Sequence, residues 1–138
     1  MSSLRELWLQ RWPSFQPEEV LGLTGMELFK QGYLPMQVSL MDRLQSFRKV
    51  IGKEFLINYG DRQCRGCRSI EENSSCGGAE HSWHCKGLAC DVTVPGMSCI
   101  ELYKLALEYG FMGVGLYENF VHMDMRIDKF ATWDFRGR

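Results

Sequence analysis

Between residues 36 and 51, Met36, Leu40, Leu44, Phe47 and Ile51 recur at helical spacing, with Asp42, Arg43 and Gln45 between them. Spacings of three and four place those apolar residues on one stripe, so the pattern predicts an amphipathic helix over 36–51 lying on a sheet. Pro17, Glu18 and Glu19 open another helical pattern, because proline suits a first turn and acids suit the positive end of the helix dipole. A helix over 17–30 is expected. Ser98 and Glu101 have capping-box spacing, Leu102, Leu105, Ala106 and Tyr109 then recur helically, and Gly110 suits the helix end.

Strand patterns occupy the rest. Glu54 to Gly60 reads as a short strand and Leu88 to Val94 as another. Phe111 to Tyr117 and Phe120 to Arg126 are separated only by Glu118 and Asn119, which predicts a tight antiparallel hairpin. Gly113 and Gly115 would let another backbone or a ligand come close. Residues 61–80 are polar and rich in Gly and Cys, a long loop that is either ordered by substrate or metal or a floppy insert.

Composition narrows this to one domain over residues 1–138, since 45% hydrophobic and 24% charged content in 138 residues suits a single core. Residues 1–35 are expected to be a helical extension packed on that core. A net charge of −1 gives no electrostatic reason to propose nucleic acid or an anionic membrane as partner. No apolar run is long enough to span a bilayer, and charges interrupt the first residues where a secretory signal would be apolar. Synthesis in the cytoplasm without a signal peptide is expected, with the six cysteines reduced unless a metal holds them. A monomer is expected.

The candidate chemistry lies in Ser82-Trp83-His84 through Asp91 and in His122-Met123-Asp124. Two imidazoles and a carboxylate make a zinc set, and three protein ligands leave a fourth position open for hydrolysis. Alternation puts His122, Asp124 and Arg126 on one strand face and Val121, Met123 and Met125 on the other. There Asp124 could orient His122 as an outer partner, or Asp124 and Arg126 are only a solvated face. His84 and Asp91 are seven residues apart, so an unbroken strand would point them oppositely. A bend at Gly87 removes that conflict; otherwise His84 is a core histidine and Asp91 an unrelated surface acid.

The order of motifs adds to this: Arg68-Ser69 with Asn73, then Gly78-Ala79, Ser82-Trp83-His84, Gly87-Leu88-Ala89-Cys90-Asp91, Gly113-Val114-Gly115 and Phe120-Val121-His122. Over residues 36–133 the chain resembles the zinc D-Ala-D-Ala carboxypeptidase family, which includes L-alanyl-D-glutamate endopeptidases and shares its fold with the hedgehog signalling domain. The resemblance implies zinc on His84, Asp91 and His122, Arg68 binding a substrate carbonyl or carboxylate, and Ser82 in contact with substrate. His81, Trp83 and Tyr117 are further candidates to line the cleft. It implies an α+β domain, an antiparallel sheet with helices on one face and a zinc groove on the other. The implied substrate is the peptidoglycan stem peptide, cut by a small phage-like lysis enzyme of the endolysin type or by a host dipeptidase.

A general base is needed, and Glu118 is the candidate, with Asp124 second. Familiar members carry an acid three residues before the last histidine; here Asn119 holds that place and Glu118 lies four before. That departure keeps an inactive zinc-binding, muropeptide-recognition module as the alternative. Cys64, Cys67, Cys76 and Cys85 could hold a second, structural metal, or be buried thiols.

Overall fold

A computed structural model describes residues 3–57 and 82–137. Four helices come first: α1 (Leu4–Arg11), α2 (Pro17–Val20), α3 (Leu23–Lys30) and α4 (Val38–Ile51). After β1 (Leu56–Ile57) and one turn of 3-10 helix (Trp83–Lys86) come β2 (Ala89–Thr93), α5 (Cys99–Glu108), β3 (Gly113–Leu116), β4 (Val121–Asp124) and β5 (Ala131–Asp134).

Helix α4 follows its sequence pattern. Leu40, Met41, Leu44 and Phe47 are buried on one side, each contributing roughly 2 kcal/mol of apolar burial. Its aromatic neighbours are set edge-on, with Phe47 5.7 Å from Phe55 and 5.4 Å from Phe111 between ring centroids. Helix α5 begins where Ser98 Oγ accepts the Glu101 N–H at 3.2 Å, and it buries Leu102 and Ala106.

The expected helix over 17–30 is instead two helices. Leu21 is extended (φ −90°, ψ 134°) and Gly22 caps α3. The break has a packing reason: the extended residue lets Val20 and Leu21 both enter the core, where neither is exposed. Trp8, Trp12 and Phe15 join the same core cluster. Their polar edges are satisfied as well, since Trp8 Nε1–H donates to the Phe15 carbonyl at 2.9 Å and Trp12 Nε1–H to Asp42 on α4 at 2.8 Å.

The strands form one sheet in the order β1-β2-β4-β3-β5. The α+β character and the β3–β4 hairpin are as expected, but the sheet is mixed and not purely antiparallel. Strand β5 runs parallel to β3. Because β4 already occupies one side of β3, residues 125–130 must cross the start of β3, and the chain then returns along its far edge. Cys90, Val92, Val114, Leu116, Val121 and Met123 join the helices in the core; the alternate residues face the other way.

Registers align those outward residues into two rows. Asp91 pairs with His122, His122 with Gly115, and Gly115 with Trp133. One step along, Ala89, Asp124, Gly113 and Ala131 form the second row. Strand β3 therefore offers glycine between His122 and Trp133 in the first row and beside Asp124 in the second.

Gly87 closes the 3-10 turn with φ +70°, and a Cβ there would collide with the Pro35 carbonyl. The close approach is used, because Gly87 O accepts the Gln37 N–H at 2.9 Å and so ties the turn to the start of α4. Gly87→Ala should lower stability by about 1–3 kcal/mol from backbone strain alone, with the clash added. An unchanged denaturation midpoint would refute this account of the turn.

Candidate metal centre

The bend at Gly87 does what the spacing required. His84 sits on the 3-10 turn, where Ser82 Oγ accepts its N–H at 3.1 Å, and Asp91 lies in β2 beyond the bend. His122 comes from the neighbouring strand β4 in register with Asp91. Asp91 Oδ1 is 3.3 Å from His84 Nε2 and 3.2 Å from His122 Nδ1. One ligand atom from each of the three lies within 4.8 Å of the others.

Those separations fit a cation. A tetrahedral ion with bonds of about 2.0–2.1 Å spaces neighbouring donors about 3.3–3.4 Å apart. The tautomer fits too: His122 Nε2 lies 2.7 Å from Asp124 Oδ2, so the hydrogen-bond network assigns its proton to Nε2 and leaves an Nδ1 lone pair facing Asp91. Carboxylate oxygen and bare imidazole nitrogen meeting in this way repel unless an imidazole is protonated or a metal ion lies between them.

The electrostatics carry the same message. Burial pushes Asp91 toward its neutral form, but His84 and His122 outweigh it and hold the carboxyl well below its usual range. Burial also disfavours the His122 cation, and hydrogen bonds to Asp124 and Asp91 overcome that and raise its pKa. Asp124, despite the opposing effect of burial, is drawn down to about 2 by His122 and Arg126. The centre is thus built to hold positive charge.

Around it, Trp133 crosses the gap over Gly115, where a Cβ would strike its ring. Its ring lies 5.1 Å from that of His122, and its Nε1–H donates to the Tyr117 hydroxyl at 2.9 Å. Burial raises the Tyr117 pKa, the Trp133 hydrogen bond opposes this, and the Asp91 charge adds to the rise. Tyr117 is therefore a protonated hydroxyl within the field of Asp91. Trp83 lies beneath Lys86, 4.4 Å from its Nζ to the ring centroid.

Of the residues expected from sequence, His84, Asp91, His122 and Asp124 are brought together, with Tyr117 beside them. Ser82 caps the turn that carries His84. Glu118 is exposed at the β3–β4 turn, and its charge acts on Cys99 and Arg136. Arg68, His81, Cys64, Cys67 and Cys76 lie outside the described residues; Cys85 is half-buried in the 3-10 turn. Trp133 was not anticipated, although Thr132 and Trp133 are strand formers and could have signalled β5.

No helix among the described residues is long and apolar enough to cross a membrane. The peptidoglycan L,D-endopeptidases MepK of Escherichia coli strain K12 and of Shigella flexneri are each 41% identical to the chain over 66 residues. That match covers 43% of this chain and 36% of theirs, so the chain aligns with about a third of the length of these relatives. The profile of the family described as Peptidase M15 matches residues 13–124, which takes in His84, Asp91 and His122. With most of its length inside that match, and with a metal-binding group of two histidines and an aspartate at its centre, the chain belongs to the M15 family of peptidases.

Proposed function

We propose that the chain is a zinc peptidase that hydrolyses an amide bond in peptidoglycan stem peptides, of the L,D-endopeptidase type. The observation that carries this reading is the convergence of His84, Asp91 and His122, with Asp91 Oδ1 at tetrahedral edge lengths from His84 Nε2 and His122 Nδ1 and one ligand atom from each residue within 4.8 Å of the others. The likeness to the MepK proteins supports the substrate class.

A zinc ion held by these three residues supplies a Lewis acid that acidifies water and polarises an amide carbonyl. The chain's own groups do the rest. Tyr117, kept protonated, can donate a hydrogen bond to the carbonyl oxygen as charge develops on it. Trp133 and Trp83 offer flat walls to a peptide. Glu118, the base expected from the sequence, would take a proton from the water and return it to the departing amine; it has to reach in from the exposed β3–β4 turn, where its charge acts on Cys99 and Arg136. Arg68 fixes the carbonyl or carboxylate of the bound peptide.

The test uses purified peptidoglycan and defined muropeptides. Zinc-loaded protein should release new amino groups, lose that activity to a chelator and regain it with added zinc. Mass spectrometry of the products separates internal cleavage from loss of a terminal alanine, the carboxypeptidase outcome. Protein that binds zinc and muropeptide but releases no amine would refute the enzyme reading and leave the recognition module.

A further inference from the structure

We propose that Arg126 is a positioning residue for the metal centre, acting through Asp124 to hold His122 in the ring orientation and tautomer that present Nδ1. The proposal rests on the metal-centre reading above and goes one residue beyond it.

Arg126 grips Asp124 from three sides. Its backbone N–H donates to Asp124 Oδ1 at 3.0 Å, its Nε–H to the same oxygen at 2.9 Å, and its Nη2–H to Oδ2 at 2.6 Å. Oδ2 is also the atom that accepts from His122 Nε2 at 2.7 Å. One carboxylate thus carries the guanidinium on one edge and the imidazole on the other.

An exposed ion pair of this sort would count for little. This one is covered: the Asp124 side chain is 0% exposed and that of Arg126 14%. The guanidinium carbon lies 5.1 Å from the Trp133 ring centroid and 5.7 Å from that of Trp83. Gly113 supplies the room, since a Cβ there would strike both Asp124 oxygens and Arg126 Nε. Three separate stretches of chain therefore shape a place for one arginine two residues past the ligand's partner. A planar fork is required; a lysine could supply charge but not two aligned donors.

The consequence is a relay of orientation. Without the fork Asp124 keeps only the backbone N–H of residue 126 on Oδ1 and His122 on Oδ2, so the carboxylate, and the His122 ring that it orients, are held less firmly for the donor set. Loss of an outer partner of a metal-ligating histidine weakens metal binding by about 10–100-fold.

The test compares wild type, Arg126→Met, Arg126→Lys, Asp124→Asn and the Arg126→Met/Asp124→Asn pair. Zinc affinity is read by competition with a chromophoric chelator, the coordination by the visible spectrum of the cobalt-substituted protein, and folding by circular dichroism without metal. Arg126→Met should bind zinc about 10–100-fold more weakly and shift the cobalt bands, and Arg126→Lys should fall between it and wild type. The double variant should bind no worse than the weaker single, because both changes break one connection. Losses that multiply in the double variant, or Arg126→Met binding within about twofold of wild type, would overturn the inference alone. Failure of the wild type to bind zinc would overturn the metal-centre reading, and the inference with it.

Discussion

His122→Ala should leave the protein unable to hold zinc at concentrations that fill the wild-type site, and its hydrolysis should fall to that of chelator-treated wild type. Zinc sites of four ligands bind with roughly 10–16 kcal/mol, so one ligand is worth about 2.5–4 kcal/mol, or about 10²–10³ in affinity. His122 is the harshest of the three to remove, because Asp124 reaches the centre only through its ring. Metal analysis and amine release measure the two effects separately. If metal-free variant and wild type unfold together, the loss belongs to the site and not to the fold. Any zinc that survives in the variant but disappears with Cys64→Ala would mark a second, cysteine-held site. Full zinc content and activity in His122→Ala would refute the ligand set.

Glu118→Gln should lower kcat by about 10²–10⁴-fold with zinc content unchanged, the range expected when a general base is removed. The carboxylate is exposed at the hairpin turn next to Tyr117, where its charge acts on Cys99 and Arg136. Asp124 is a poor rival, since His122 and Arg126 already engage both of its oxygens. Asp124→Asn should therefore show itself first as weakened metal binding, whereas Glu118→Gln should show itself only in turnover. A kcat within threefold of wild type for Glu118→Gln would assign the proton transfer to another group.

Much of the site could be read from the chain because its logic is local. Strand alternation put His122, Asp124 and Arg126 on one face, and one glycine between His84 and Asp91 explained how a seven-residue spacing could converge. The helical repeats of α4 and α5 are equally local. What escaped depends on distant partners. The break at Leu21 answers to the core that Val20 and Leu21 fill, which no periodicity records. The parallel course of β5 follows from β4 having taken the other side of β3. Arg126 read as half of a solvated face because its two covers, Trp83 and Trp133, lie 43 residues before it and 7 after.

Gly113 and Gly115 give β3 an unusual part in this protein: it contributes to the centre by withholding side chains. Asp124 with Arg126 fills one vacancy and Trp133 the other, so the working face is made of residues leaning over a strand that has none to offer. Alanine, ordinarily the gentlest replacement in a strand, is here an obstruction at either position. A methyl group at 113 would push against the support of His122, and one at 115 would lift the tryptophan that walls the cleft. The two smallest residues on this face are thus among the least replaceable, though neither could ever touch a metal or a substrate through a side chain.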